Sequence, residues 1–159
     1  MPNSSDAKSP INFDHPANVG VLAYLKKVGD ERLVSSPPVY GDYGSVGGTH
    51  PDLVDILWAQ MPKELPENCQ WIAYGRPILL HKSSGIIFGF AIGTSLIGLR
   101  LPPTEREVVI KNNPKSLHHQ WGSGETISAQ DLGEDWVFAG LSRQTQNCLH
   151  AYEYTVRIP

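Results

Sequence analysis

The stretch from residue 71 to residue 101 constrains the fold most, because it has the pattern of a three-stranded antiparallel meander. Gly93 and Thr94 separate two apolar runs, residues 86–92 and 95–101. A glycine in the first position suits a two-residue type II′ turn. A second turn is indicated at Lys82-Ser83-Ser84-Gly85. We therefore predict a sheet built on a meander over residues 78–101.

A two-residue turn at Gly93 fixes the pairing of the strands on either side. It sets Phe90 opposite Ile97 and Gly89 opposite Gly98. Because side chains alternate along a strand, Phe88 and Phe90 would share one bulky face, and the glycines would line the other. A slip of one residue would mix the two sets of side chains.

Neither face of the middle strand is polar, although an antiparallel sheet with one solvated face alternates apolar and polar residues. We expect helices on the bulky face. The glycine-lined face needs a cover too, because glycine in a strand permits a close approach by another segment. The candidates are a helix, the C-terminal segment and a second subunit.

Helical patterns flank the meander on both sides. An amphipathic helix is predicted over residues 16–28, and a second is predicted to start at Thr49 as its N-cap. The pattern Thr104-Glu105-Arg106-Glu107 favours a short helix through a capping box. A last helix is predicted after Ser142, with an extended end from Tyr154 onward.

These elements predict an α+β fold. We expect a flexible N-terminus over residues 1–10 and a single domain over residues 11–159. The domain would have a mostly antiparallel sheet of four to six strands with two to four helices packed on it.

Composition narrows the function classes. The chain has 159 residues, of which 40% are hydrophobic and 18% charged, which indicates a globular protein. A formal net charge of −3 argues against nucleic-acid binding. The longest apolar run is shorter than the ~20 residues of a spanning helix, so we expect no membrane association.

The cysteines and the first residues point to a compartment. Cys69 and Cys148 are too few for a disulfide framework. The first residues lack the charged and apolar regions of a signal peptide. We therefore expect a cytoplasmic protein with reduced thiols.

Two loops combine aromatic residues with polar groups, which is typical of a pocket lining. One is the glycine-rich loop that precedes the second helix, and the other follows Asn112. We predict that ligand-binding residues lie in these loops, between which a pocket would form. They are Tyr40, Asp42, Tyr43, His50, His118, His119 and Trp121.

No catalytic motif emerges from the residue spacing. The glycine-rich loop lacks the GxxxxGK[ST] pattern, and neither HExxH nor CxxC occurs. Ser83 and Ser84 lack the surroundings of a nucleophile elbow. Cys148 and His150 would point ~200° apart on a helix, so they cannot form a nucleophile–base pair there. We therefore predict no catalytic residues, no metal site and no cofactor.

Two hypotheses for the function follow. The first is a non-enzymatic binding or interaction protein, since a sheet that is apolar on both faces needs a cover. Its partner would be another protein, which it could antagonise, or a second copy of the chain. The alternative is a small-ligand-binding domain or an enzyme, with the pocket between the loops at 40–50 and 118–121.

Overall fold

A computed structural model describes residues 9–38, 49–139 and 145–159 of the chain. The strands in chain order are β1 (Ser35–Ser36), β2 (Gln70–Ala73), β3 (Arg76–His81), β4 (Ile86–Ile92), β5 (Leu96–Arg100), β6 (His118–Gln120), β7 (Thr126–Ser128) and β8 (Trp136–Ala139). Six of them form one antiparallel sheet in the order β1-β2-β3-β4-β5-β8, and β6 pairs with β7 in a separate hairpin. The predicted meander forms the centre of the large sheet.

The α-helices of the described residues are α1 (Val19–Val28), α2 (Pro51–Asp55), α3 (Pro103–Asn112) and α4 (Thr145–Val156). The predicted α+β class, with a six-stranded antiparallel sheet, is confirmed. In these described parts of the chain, no helix is both long enough and apolar enough to cross a membrane. The division into a flexible N-terminus over residues 1–10 and one domain over residues 11–159 stays a prediction.

The predicted pairing of β4 with β5 is wrong by one residue. Phe90 lies opposite Gly98, and Ala91 lies opposite Ile97. The turn between the strands holds three residues, beginning with Gly93 at a φ of 69°. The longer turn brings the Phe90 ring over Gly98, where a Cβ atom would lie only 2.4 Å from Cε2 of that ring.

A β-bulge overturns the predicted sorting of side chains. The pairing of β3 with β4 shifts between Leu79 and Leu80, which leaves β4 with one extra residue at Phe88 and Gly89. The extra residue interrupts the alternation of side chains along the strand. Phe88 and Phe90 therefore pack in different cores on opposite faces of the sheet, and both are fully buried.

The chain covers both faces of the sheet with its own segments. On one face, α4 and the helical segment 51–64 pack with Phe88. On the other face, α1 and residues 127–132 pack with Phe90. This arrangement removes the need for a second subunit over the glycines. Gly89 faces Leu79 in the first core and Gly98 faces Phe90 in the second, so the predicted glycine-lined face does not exist.

The predicted first helix is confirmed as a 3₁₀ turn over Pro16–Asn18 followed by α1. Gly20 lies inside α1 because a neighbouring segment passes close to it. A Cβ atom at Gly20 would lie 2.4 Å from the carbonyl oxygen of Leu132. This contact explains a glycine that helix propensity alone disfavours.

The predicted cap of the second helix is wrong by one residue. His50 is the N-cap of α2, and its Nδ1 accepts a hydrogen bond of 3.1 Å from the Asp52 N–H. Thr49 is fully buried instead, and its hydroxyl donates to the Ala91 carbonyl at 3.1 Å.

The third and fourth helices differ from prediction at their ends. The predicted helix at Thr104 is confirmed as α3, but Thr104 lies inside it and Pro102 is the N-cap without a side-chain bond. The predicted cap at Ser142 lies outside the described residues. The helix α4 continues through Val156, so the predicted extended end from Tyr154 is wrong.

Candidate ligand-binding groove

A groove of about 700 Å³ opens between α3 and α4, above the edge of the sheet formed by β5 and β8. Small-molecule sites in proteins commonly enclose roughly 300–1,000 Å³. Leu99, Leu101 and Val137 form its floor and belong to the core beneath it. Val108 and Val109 of α3 form an apolar wall, and Val108 is 58% exposed.

Apart from Phe138, the rest of the lining is polar and mostly uncharged. Glu105 on α3 and His150 on α4 face each other across the groove. No Lys or Arg belongs to the described lining. The remaining polar residues are Thr104, Asn112, Asn113, Gln146 and Asn147.

Glu105 is held in its ionised form. The Thr104 hydroxyl donates to its Oε2 at 2.6 Å, and this bond is the main reason that the pKa of Glu105 lies below its ordinary value. Arg157 lowers the pKa further, by a smaller amount. The groove therefore carries a negative charge at neutral pH.

His150 has an unsatisfied ring nitrogen. Its Nδ1 lies 3.7 Å from Oε1 of Glu105, too far for a hydrogen bond. The atom is buried and has no hydrogen-bond partner among the described residues. A buried polar atom without a partner is uncommon and calls for an explanation, such as a bound water or ligand.

A second, larger groove of about 1180 Å³ lies on the other side of α3. Arg100 lines this groove, but its hydrogen bonds go to other parts of the chain. Arg100 is 2% exposed and donates to both oxygens of Asp135 at 3.1 and 3.0 Å. It also donates to the Ile87 and Ala17 carbonyls, at 3.0 and 2.7 Å. With its donors committed in this way, the guanidinium joins four segments of the chain rather than offering a free binding group.

Of the residues predicted from sequence, the four that the structure describes do not line the groove between α3 and α4; they are His50, His118, His119 and Trp121. Tyr40, Asp42 and Tyr43 lie outside the described residues. His50 and Trp121 both contact the turn at Gly93.

The contacts at this turn involve one backbone and one side chain. The N–H of His50 donates to the Gly93 carbonyl at 2.8 Å. The indole of Trp121 covers Gly93, where a Cβ atom would lie 3.1 Å from Cζ3. The ends of both predicted loops therefore meet at one end of the sheet.

His118 and His119 point in opposite directions on β6. His118 is exposed, whereas His119 packs edge-on against Trp121 at a ring separation of 4.4 Å and also contacts Phe138. Burial lowers the pKa of His119 below its ordinary value. His119 therefore belongs to an aromatic cluster with Trp121 and Phe138. The described residues bring together no group of three or more His, Cys, Asp or Glu that could hold a metal ion.

Two arrangements that resemble catalytic pairs are explained by local structure. His81 Nδ1 lies 2.7 Å from Ser84 Oγ, but that oxygen also accepts from the Ile86 N–H within the same hairpin turn. Cys148 is fully buried in the core, whereas His150 lines the groove. The two side chains of α4 thus diverge, as the helical spacing predicts.

Comparison with protein-family models, with curated proteins and with solved structures found no match. The fold and the groove together define the structural class of this protein, which is an α+β domain with a ligand-sized groove beside its sheet. Sequence reasoning missed Glu105 and His150 because they lie far apart in the chain. The one local signal was a threonine followed by a glutamate at a helix start, which was interpreted as capping.

Proposed function

We propose that this chain is a non-catalytic binding protein that holds a small amphipathic molecule between α3 and α4. The observation that supports this proposal is the groove itself, in which an apolar wall and floor adjoin one carboxylate and one unsatisfied imidazole nitrogen. Ligand sites typically combine a mainly apolar lining with a few polar groups that fix orientation.

Binding is favoured over catalysis by the lack of a suitable nucleophile beside His150. In the described lining, Thr104 has the only hydroxyl, and it donates that proton to Glu105. Nucleophilic catalysis through His150 would need a hydroxyl or thiol within hydrogen-bond reach of its ring. Glu105 and His150 are instead placed to receive hydrogen bonds from a ligand.

The predicted pocket between residues 40–50 and 118–121 stays a prediction, because most of the first loop is not described. A protein partner, including one that the chain would antagonise, also stays a prediction. A sheet that is apolar on both faces motivated this prediction, but the chain covers both faces itself, so the sheet no longer calls for a partner.

Titration with 1-hexanol, followed by amide chemical shifts in NMR, tests the proposed groove. We expect saturable shifts at Val108, Val109 and Val137, with an affinity of about millimolar for so small a probe. Filling the groove with Val108→Trp should abolish them. The matched control is Val156→Trp, which changes another exposed valine that is not in the groove lining.

The proposal fails if 1-hexanol shifts no groove amide at saturation. It also fails if Val108→Trp binds 1-hexanol as well as the Val156→Trp control does. A stable fold of both variants is checked by their amide spectra, because both valines are exposed and their replacement need not disturb the core.

A location in the cytoplasm is part of the same proposal. Its support is that Cys69 and Cys148 are both buried and unpaired, as thiols are in a reducing compartment. Cell fractionation with a tagged chain tests it.

A further inference from the structure

We infer that the groove between α3 and α4 selects a primary amine with a short apolar body, whose ammonium group binds between Glu105 and His150. This inference rests on the proposed function and adds the chemical class of the ligand. It is carried by the charge of the lining, by the geometry of the Glu105–His150 pair and by the apolar wall beside it.

The charge of the lining favours a cation. Glu105 is ionised and 32% exposed, so it is accessible but partly shielded from water. No Lys or Arg of the described lining competes for it. Arg157 also acts on Glu105, but its effect is smaller than that of Thr104, and its Nε donates to the Glu153 carbonyl.

The geometry of the pair suits an ammonium group. Oε1 of Glu105 and Nδ1 of His150 are 3.7 Å apart and make no hydrogen bond to each other. A neutral imidazole can accept through one nitrogen, and a carboxylate only accepts. An ammonium carries three donors and no acceptor, so it can donate to both atoms at once when the part-exposed Glu105 side chain shifts to uncover the buried nitrogen.

The apolar wall determines the chemistry of the ligand beyond its ammonium group. Val108 and Val109 lie on the same helix as Glu105, a turn further along α3, and Leu101 and Val137 lie beneath them. An alkyl or aryl body attached to the ammonium would cover the exposed Val108. Burying apolar surface of this kind stabilises the complex in proportion to the area removed from water.

A carboxylate head group is disfavoured by the same features. It would approach an ionised Glu105, and the two like charges would repel each other. A neutral alcohol could donate to only one of the two atoms. The expected order of affinity is therefore amine, then alcohol, then carboxylate.

The experiment compares hexylamine, 1-hexanol and hexanoate by NMR titration of the full chain at pH 7.5. We expect hexylamine to bind about two- to fivefold more tightly than 1-hexanol, as one partly exposed charged contact would give. Glu105→Gln should remove that advantage and leave 1-hexanol binding unchanged. Glu107→Gln, an exposed neighbour on α3 that is not in the groove lining, is the matched control and should change neither.

The outcomes separate the two proposals. If none of the three probes shifts groove amides, the proposed binding function is wrong. If 1-hexanol binds in the groove but hexylamine gains nothing over it, or hexanoate binds equally well, only the assignment to amines is wrong. An amine preference that survives Glu105→Gln also overturns the assignment.

Discussion

Arg100 shows at the scale of one residue how this fold holds its layers together. Its guanidinium bonds to Asp135, to β4 and to the segment before α1, and it packs over the Trp136 ring at 4.9 Å. A charge this deeply buried is costly unless its partners are in place. Burial accordingly lowers the pKa of Arg100 from its ordinary value, and Asp135 opposes that shift.

Arg100→Ala should therefore destabilise the protein by about 3–5 kcal/mol, because it leaves buried carbonyls and Asp135 without their donor. Guanidinium unfolding measures the change. The matched control is Arg32→Ala, which breaks the pair with Asp30 at a position that is 88% exposed. We expect a much smaller change there, because a solvent-exposed ion pair contributes little to stability. Equal costs for both variants would contradict the structural role of Arg100.

The two thiols are a second test at this scale. Cys69 and Cys148 are buried in the same core, and burial is the main cause that raises the pKa of each to about 12. A thiol reacts as its thiolate, so both should resist Ellman's reagent at pH 8 in the native protein and react at once in guanidinium. Fast reaction of either native thiol would contradict the burial.

The same pKa shifts predict how the free energy of unfolding changes with pH. A thiol that ionises near pH 9 when unfolded but near 12 when folded favours the folded state fully below pH 9. That contribution is lost as the pH rises through 12. We expect the free energy of unfolding to fall over this range, and less steeply in Cys148→Ala than in the parent chain.

At the scale of elements, the pairing of β4 with β5 depends on one contact. The Phe90 ring occupies the space above Gly98, and it is itself fixed by Tyr24 and Trp136 at ring separations of 6.4 and 5.5 Å. A methyl group at Gly98 would therefore displace a ring that has little room to move.

Gly98→Ala should destabilise the protein by about 1–3 kcal/mol through overpacking. Gly122→Ala is the matched control, because nothing lies within 4 Å of a Cβ atom there. Thermal and guanidinium unfolding measure both. The pairing expected from a two-residue turn would leave room at Gly98, so equal stability of the two variants would contradict the observed pairing.

The elements also show what could be predicted from the sequence. Apolar periodicity predicts α1 and the central strands, because those patterns are local. The bulge at Phe88 and the three-residue turn could not be predicted, since they follow from how Phe90 packs across strands. The predicted caps are one residue off at Thr49 and two residues off at Thr104, because a buried hydrogen bond or a neighbouring carboxylate competes for each hydroxyl.

At the scale of the whole molecule, the sheet lies between two layers that the chain supplies itself. The remaining exposed large apolar side chains among the described residues are Phe13, Val19, Leu33, Val34, Val108 and Val156. Singly exposed apolar residues are normal on a monomer. We therefore expect a monomer in sedimentation velocity at micromolar concentration. A stable dimer would contradict the inference that covering both sheet faces leaves no surface for self-association.

The groove also belongs to this scale, because it forms only where α3, α4 and the sheet edge meet. Glu105 and His150 come within 3.7 Å of each other through tertiary structure alone, and neither is marked by local spacing. The predicted residues His50 and Trp121 were brought together at the Gly93 turn, but they contact that turn rather than this groove.

The most direct test of ligand binding is to locate a bound amine by intermolecular nuclear Overhauser effects. With hexylamine at saturation, we predict contacts from its methylene protons to the methyl groups of Val108 and Val109, and from the carbon next to its nitrogen to the His150 ring. Contacts confined to any other surface, or none at all at saturation, would contradict a binding site between α3 and α4.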